Sequence, residues 1–223
     1  MSIRIINGKV YKNGTFSEED LVLKEGKISS AEDENADEVY DAKGKYVVPG
    51  FIDVHTHGGA GVDVNAADQQ GFEKIGHFFA TQGTTSWLSS ILTDTKEQTL
   101  KTINEAVKHQ EAQKNGHENC ADLLGIHLEG PFLAPEYKGA MPEHLLISPD
   151  LELLKEYQKA AEARAAIEAD STAKELFQDF TSFQEGIYGR MQTGVMPTAE
   201  EQAKMQEFGE KIEANPVLKE YLN

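Results

Sequence analysis

Two histidines, His55 and His57, stand two positions apart at the end of the apolar stretch FIDVH. Alternate side chains of a β-strand point to the same face, so this spacing directs both imidazoles to one side of a sheet. Neutral imidazole is a good ligand for zinc and for iron. The pair therefore predicts part of a metal site. The spacing also fits one core histidine and one that caps the glycine-rich loop that follows.

A carboxylate that could complete such a site lies in the segment GIHLEGPF. Within it, His127 and Glu129 share a strand face, and Gly130-Pro131 ends the strand just beyond the carboxylate. If the sheet is parallel, Glu129 lies at the same sheet end as the two histidines. There it could bind a metal, and without one it would be a buried charge in need of a partner. His127 lies nearer to the middle of the strand, and we expect it in the core or behind the metal ligands.

The other polar candidates in this region are less specific. Asp53 lies on the strand face of the two histidines, where it could orient a metal ligand. A hydrogen bond to the backbone is the simpler role for this carboxylate, and we expect that role. The remaining histidines fall in predicted helices and loops, where we expect them to be solvated or structural: His77, His109, His117 and His144.

The elements that would position these residues alternate between strands and helices. FIDVH predicts a buried strand, and QQGFEKIGHFFATQG predicts a helix with Phe72, Ile75 and Phe79 on one face. A strand (TTSWLSSIL), a helix (KEQTLKTINEAVKHQEAQ) and a third strand (DLLGIHLEG) follow. Strand–helix–strand order at this spacing predicts right-handed crossovers and a parallel sheet.

Short strands precede this region, over residues 3–48. The segments RIINGKVY, DLVLKEGKI and EVYDAKGKYVV are rich in β-branched residues. Glycine after Asn or Glu is a turn signal. It predicts turns at three places: Asn7-Gly8, Asn13-Gly14 and Glu25-Gly26.

The composition changes near residue 150. All seven histidines and 15 of the 19 glycines precede that point, and the rest of the chain has helical periodicity. Ser148-Pro149 predicts an N-cap and a first-turn proline for the helix LELLKEYQKAAEARAAIEA. The apolar stripe of TAKELFQDFTSFQEGIYGRM predicts a second helix, ended by Gly194 and Pro197.

The last third of the chain carries further helix signals. Thr198 and Glu201 form a predicted capping box at the start of EEQAKMQEFGEKI. A final turn, VLKEYL, follows Asn215-Pro216. Three or four amphipathic helices without a catalytic-looking cluster predict a helical hairpin or small bundle over residues 150–223.

Bulk composition excludes several classes of partner and environment. A net charge of −17 argues against binding to nucleic acid and to an anionic membrane surface. The sequence has no apolar run long enough for a transmembrane helix, and its N-terminus lacks a signal-peptide pattern. The single cysteine, Cys120, excludes an intramolecular disulfide and a zinc site built from several cysteines. These features predict a cytoplasmic protein.

Three segments together resemble a known family. PGFIDVHTHGGAGVDV, TQGTTSWLSSIL and GIHLEGPFLAPEYKGAMPEHL, in this order and spacing, resemble the N-acetylglucosamine-6-phosphate deacetylase family of the amidohydrolase superfamily. The resemblance extends from residue 1 to about 153. It implies a (β/α)8 barrel with a small β-sandwich. Residues 1–50 would be sandwich-type strands, and residues 51–149 the first three βα units of an incomplete barrel.

The resemblance also implies a site and a reaction. His55, His57 and Glu129 would bind a divalent metal, zinc or iron, and Ala140 and Met141 would lie in the stretch that contacts the sugar. Many members have histidine at the position of Met141. The implied reaction is hydrolysis of the N-acetyl amide of an amino-sugar phosphate by a metal-activated water.

The implied catalytic apparatus is incomplete in this chain. The family uses two further metal-binding histidines and a general-base aspartate, all well beyond the LEGPF segment. The last histidine here is His144, so no later residue supplies an imidazole. We therefore predict no catalytic base in this chain, and a metal site without appreciable turnover.

The C-terminal helices resemble a different group, the YlbF/YheA-like small helical bacterial proteins. The resemblance covers about residues 160–222 and depends on spaced aromatic residues followed by QTGVMP. Members are non-enzymatic, and some are linked to regulation. The alternative hypothesis is therefore a regulatory or protein-interaction module with a deacetylase remnant. Its apolar stripes would be covered by a partner or by self-association.

Overall fold

The computed structural model describes residues 2–29, 36–116, 119–191 and 196–222. The chain divides into two compact units, residues 1–51 and 52–223. Among the described residues, no helix has both the length and the apolar character needed to cross a membrane.

The first unit is a five-stranded sheet. Its strands are β1 (Ser2–Lys12), β2 (Thr15–Lys24), β3 (Lys27–Ser29), β4 (Glu38–Asp41) and β5 (Tyr46–Val47). They lie in the order β3-β2-β1-β4, with β5 also paired to β1. β1 runs antiparallel to β2 and parallel to β4 and β5.

Two of the three predicted turns in this unit are confirmed. Asn13-Gly14 and Glu25-Gly26 have positive φ angles and join β1 to β2 and β2 to β3. The prediction of a turn at Asn7-Gly8 is wrong, because β1 continues through these residues. Its pairing with β2 shifts register after Ile5. Asn7 has a φ of 56°, and one left-handed residue within a paired strand produces a β-bulge instead of a chain reversal.

The second unit begins with the predicted alternation of strands and helices. It contains β6 (Phe51–Thr56), α1 (Gln69–Thr81), β9 (Thr84–Leu92), α2 (Lys96–Gln113) and β10 (Asp122–Glu129). A two-stranded hairpin of β7 (Gly58–Gly59) and β8 (Val62–Asp63) follows β6. The main sheet has the order β10-β9-β6, with β10 parallel to β9. Over the described residues it is an open sheet and not a closed barrel.

The core of this sheet forms where the sequence predicts it. Phe72, Ile75 and Phe79 of α1 are buried and belong to one cluster with Trp87 and Ile91 of β9. The helix face was predicted from apolar residues at spacings of three and four, which place side chains on one side of a helix.

The prediction of FIDVH as a buried strand is wrong for most of its apolar side chains. Phe51, Ile52 and Val54 are 62%, 61% and 60% exposed. β6 is the terminal strand of the three-stranded sheet, so no neighbouring strand covers its outer edge there. The side chains of a strand are buried by elements that pack on the two faces of the sheet, and among the described residues Phe51, Ile52 and Val54 are not covered in this way.

Beyond residue 150, the described part of the second unit is mainly helical, as predicted. It consists of α3 (Leu151–Ala169), α4 (Ser171–Met191), α5 (Ala199–Ala214) and α6 (Pro216–Leu222). The Thr198–Glu201 capping box is confirmed, with both reciprocal hydrogen bonds present. The predicted helix breaker Gly194 lies outside the described residues.

The predicted start of α3 needs correction. The N-cap is Asp150, and its Oδ1 accepts hydrogen bonds from the amides of Glu152 and Leu153 at 2.9 and 3.0 Å. Ser148 and Pro149 therefore lie before the cap. A carboxylate next to free helix amides satisfies them and also interacts favourably with the helix dipole.

α3 contributes to two apolar clusters. Near its start, Tyr157 is buried in the cluster that contains Phe72 and Trp87. Near its end, Ile167 is buried in a second cluster with residues of α4 to α6, including Ile212. The change in composition near residue 150 therefore falls inside one compact unit, and α3 links its two apolar clusters.

Candidate metal centre

Three of the predicted site residues converge on one point. The Nε2 atoms of His55 and His57 lie 2.8 and 3.0 Å from the same oxygen, Oε2 of Glu129. The ligand atoms of the three residues lie within 4.8 Å of one another. Two imidazoles and one carboxylate around one point form a donor set that suits zinc or iron.

The surroundings of His57 support a cation at this point. Its Nδ1 lies 3.0 Å from the carbonyl oxygen of Ser90, and its Nε2 faces the carboxylate of Glu129. Both neighbours are acceptors, and a neutral imidazole has only one N–H to donate. A metal cation between Nε2 and the carboxylate would satisfy both groups. His55, His57 and Glu129 are 52%, 38% and 31% exposed, so an ion can reach them from solvent.

Strand ends and two glycines position the three residues. His55 lies near the end of β6, His57 directly follows it, and Glu129 is the last residue of β10. Gly58, after His57, has a φ of 141°, and a Cβ there would lie 2.0 Å from the carbonyl oxygen of Val62. Gly130, after Glu129, has a φ of 96°. Directly after His57 and directly after Glu129, the chain therefore adopts a positive φ angle that glycine tolerates and other residues do not.

Neighbouring polar groups hold the two strands in place. Oδ1 of Asp53 accepts the backbone N–H of His55 at 3.0 Å, which is the structural role expected for it. Nδ1 of His127 lies 3.0 Å from Oγ of Ser90. The rings of His127 and His55 have centroids 4.9 Å apart. His127 therefore lies behind the ligand cluster.

A cleft of about 610 Å³ opens beside the cluster. His57 and Glu129 lie in its wall, together with Ala140 and Met141. Ala140 is exposed, and Met141 is 6% exposed. The structure thus brings the residues that the resemblance implied for the sugar to the same cleft as the metal-ligand candidates.

Sequence reasoning missed three polar residues near this cluster. Asn65 and Asp94 line the cleft, and Nδ2 of Asn65 donates to Asp94 and to the carbonyl of Leu92. Ser90 is fully buried and contacts both His57 and His127. The position of Asp94, two residues after β9, was an available signal, since sites collect where parallel strands end.

The other candidate residues lie elsewhere. His109 is buried in α2 and stacks on Phe72, and Nδ1 of His77 contacts the carbonyl of Asn119. His144 lies in a short 3-10 helix, and His117 lies outside the described residues. Over the residues that the structure describes, His55, His57 and Glu129 form the single metal-capable cluster.

Cys120 is unsuited to metal binding or nucleophilic chemistry. Partial burial, with the charges of Glu73 and Asp122, raises the pKa of its thiol to about 11. A thiolate is the reactive and ligating form, and at neutral pH almost none is present here.

The N-terminal part of the chain resembles N-acetylglucosamine-6-phosphate deacetylases. It is 33% identical to the enzyme of Bacillus subtilis (strain 168) over 165 residues, which cover 70% of this chain and 39% of that protein. The deacetylase structure from Pasteurella multocida matches 72% of this chain and 42% of that one, with a TM-score of 0.63 and 26% identity. A second structure, a variant from Mycobacterium smegmatis in complex with N-acetyl-D-glucosamine-6-phosphate, supports the fold with a TM-score of 0.58 at 22% identity.

The C-terminal part matches a different family. Residues 149–223 match the family described as "Control of competence regulator ComK, YlbF/YmcA". A UPF0342 protein of Streptococcus thermophilus (strain ATCC BAA-491 / LMD-9) is 56% identical over 69 residues, which cover 31% of this chain and 62% of that protein. An alignment that covers 70% of 223 residues must extend past residue 149, so the two matches overlap in the region where α3 begins. Both predicted resemblances are confirmed, and the chain spans about 39% of the deacetylases it matches.

Proposed function

We propose that this chain binds a divalent cation, zinc or iron, through His55, His57 and Glu129, as a deacetylase-derived site. The observation that carries the proposal is the convergence of two imidazole Nε2 atoms on one carboxylate oxygen at the mouth of a cleft. The likeness to N-acetylglucosamine-6-phosphate deacetylases supports it independently of that geometry. In the proposed fold, residues 51–149 are the first three βα units of an incomplete (β/α)8 barrel, and residues 1–50 are β-sandwich strands.

Each residue of the site has a defined task in this proposal. The Nε2 lone pairs of His55 and His57 and the carboxylate of Glu129 hold the cation. The cation, when bound, supplies Lewis-acid polarisation of an amide carbonyl and activates water as a nucleophile near neutral pH. Ala140 and Met141 shape the cleft for an amino-sugar phosphate.

We propose further that the chain does not turn over this substrate by itself. No histidine follows His144, so the residues after it supply no further imidazole to the cluster. The matched deacetylases continue well beyond the matched region, and the catalytic aspartate implied by the resemblance belongs to that part. Polarising an amide without a positioned general base loses the proton transfer, which contributes about 10² to 10⁴ in rate.

The test measures metal binding and turnover separately. Zn²⁺ is titrated into the metal-free chain, and acetate release from N-acetylglucosamine 6-phosphate is then measured with the metal present. We expect Zn²⁺ binding that Glu129→Gln weakens and that the exposed control Glu97→Gln leaves unchanged, with no acetate release. Absence of Zn²⁺ binding would contradict the metal site. Acetate release that disappears in Glu129→Gln would contradict the proposed inactivity.

A second candidate function belongs to the helical segment. Its match to a regulatory family and its 56% identity to a UPF0342 protein favour a non-enzymatic interaction module. Phe180 and Phe183 pack against Phe208 between α4 and α5, while Met196 is 72% exposed in the connection. We propose self-association through this segment. Sedimentation equilibrium of the full chain tests it, and a monomeric mass at every concentration would contradict it.

A further inference from the structure

We infer that Ser90 is the positioning residue of the metal centre, acting on both strands that carry the proposed ligands. The inference depends on the proposed metal-binding function, which it deepens by naming what holds the ligands in place. Ser90 lies on β9, the central strand, and its exposed fraction is 0%. A polar residue so deeply buried needs hydrogen-bond partners, and its partners lie at the ligand cluster.

Three contacts connect Ser90 to the cluster. Its carbonyl oxygen lies 3.0 Å from Nδ1 of His57. Its Oγ accepts the backbone N–H of Thr56 at 3.2 Å, and Thr56 is the residue between the two histidine ligands. The same Oγ lies 3.0 Å from Nδ1 of His127, two residues before Glu129. Through its hydroxyl and its carbonyl, Ser90 of β9 therefore contacts residues of both neighbouring segments, the end of β6 and β10.

The carbonyl contact sets the orientation of His57. A carbonyl only accepts hydrogen bonds, so Nδ1 of His57 carries the proton that it donates to Ser90. The opposite nitrogen, Nε2, then points at Glu129 and is the one available to a cation. Hydrogen bonds of this kind to the non-ligating nitrogen orient metal-binding histidines in general.

The hydroxyl contact sets the surroundings of His55. It holds His127 so that its ring lies against the ring of His55, at 4.9 Å between centroids and 55° between planes. It also ties down the backbone of β6 at Thr56, on a strand whose outer edge is open. Removing the hydroxyl releases both supports while leaving His55, His57 and Glu129 in the sequence.

Ser89 is a matched control on the same strand. It is also 0% exposed, but its Oγ contacts the carbonyl of Gly125 at 3.5 Å. Adjacent residues of a strand face opposite sides of the sheet, so Ser89 points away from the side of Ser90. Ser89→Ala and Ser90→Ala each remove one buried hydroxyl from β9, and we expect only the second to disturb the ligands.

The experiment compares Ser90→Ala, Ser90→Thr and Ser89→Ala in the full chain, with Zn²⁺ affinity measured by competition with a chromophoric chelator. We expect Ser90→Ala to weaken Zn²⁺ binding about 10- to 100-fold, the usual effect of losing a group that orients ligands. Ser90→Thr keeps the hydroxyl and should recover most of the affinity, and Ser89→Ala should leave it unchanged. Equal affinity in Ser90→Ala and the wild type, or equal losses in Ser90→Ala and Ser89→Ala, would overturn the inference.

A second measurement tests the role of Ser90 in the absence of metal. Nitrogen-15 NMR of the imidazoles in the metal-free chain should show His57 protonated at Nδ1. It should also show the His127 signals shifted in Ser90→Ala but not in Ser89→Ala. If the wild type binds no Zn²⁺, the proposed function fails, and these spectra still test the role of Ser90. Unchanged His127 signals in Ser90→Ala would overturn it, because this substitution removes the hydroxyl that contacts His127.

Discussion

The open sheet of β6, β9 and β10 and the helices α4 to α6 bury their apolar residues to different degrees. On β6, Phe51, Ile52 and Val54 are about three-fifths exposed. In the helices, Ile187 and Ile212 are 4% and 8% exposed. A strand with apolar side chains on both faces needs packing elements on both sides of the sheet, whereas a helix needs only facing helices against its one apolar stripe. Over the described residues, the three-stranded sheet therefore leaves apolar side chains of β6 exposed, whereas Ile187 and Ile212 of the helices are buried.

The same two regions differ in chemistry. The sheet carries the His55–His57–Glu129 cluster at its edge, and the chain beyond residue 150 contains no histidine at all. α3 connects the regions physically, because Tyr157 packs with the sheet core and Ile167 with the helical core. An ion pair of 2.7 Å between Lys96 of α2 and Glu156 of α3 lies beside that contact. The comparison therefore predicts that α3 stabilises the open sheet.

The largest expected effect comes from breaking this connection. Tyr157→Ala removes a ring that is 3% exposed and leaves a cavity, so we expect a loss of about 3 kcal/mol in the free energy of unfolding. Trp87, the single tryptophan, is buried in the sheet core and reports its unfolding by fluorescence in urea. Tyr137→Ala, at a site 86% exposed, is the control and should change little. If the urea midpoint of the Trp87 fluorescence transition is the same in Tyr157→Ala and the wild type, the stability of the sheet does not depend on α3.

Zinc binding should stabilise the sheet region by a comparable amount. A ligand that binds only the folded state at 100 times its Kd adds about 2.7 kcal/mol. We expect the Trp87 transition to move to higher urea with Zn²⁺ and to return when the metal is chelated. Glu129→Gln should abolish most of this shift, because it removes the carboxylate that both histidines face. A full shift in Glu129→Gln would place the zinc elsewhere.

A smaller effect tests the start of α3. Asp150→Ala removes the N-cap and should cost about 1 kcal/mol. Ser148→Ala, at the residue that the sequence pattern favoured as the cap, should be nearly neutral. Urea unfolding of both variants followed by circular dichroism makes the comparison. Equal losses in the two variants would mean that the cap is not confined to Asp150.

The smallest effect concerns the helical region alone. The backbone N–H of Thr198 and the side chain of Arg190 lower the pKa of Glu201 from its usual 4.5. A carboxylate with a lowered folded pKa stabilises the fold above its unfolded pKa, and this contribution disappears as pH falls through the lower folded value. We expect helix content to decline below about pH 4.5 in the wild type. Helix content should fall less with decreasing pH in Glu201→Gln than in the wild type, whereas the control Glu200→Gln should behave like the wild type. The fluorescence of Trp87, which lies in the sheet core, should not change in either variant.

Sequence patterns predicted the local elements well wherever they depend on near neighbours. α1 and α2 follow from apolar spacing, and the Thr198–Glu201 capping box from four consecutive residues. The errors have local physical causes of their own. Asn7-Gly8 produced a bulge, because β4 and β5 pair with β1 on the two sides of it. Asp150 is the N-cap because it directly precedes Leu151, the first residue of α3, and its carboxylate accepts the free helix amides.

The sequence by itself determined which residues could be ligands, since the spacing of His55 and His57 at the end of a strand directs both side chains to one side of the sheet. It also determined that Glu129 ends a strand, because Gly130-Pro131 follows. Only the tertiary structure decided that both imidazoles face one oxygen of a residue 74 positions from His55. It also decided that Ser90 supports them and that β6 is an exposed edge. Those facts depend on which strands lie next to one another. The order of strands in a sheet results from packing between segments that are far apart in the chain.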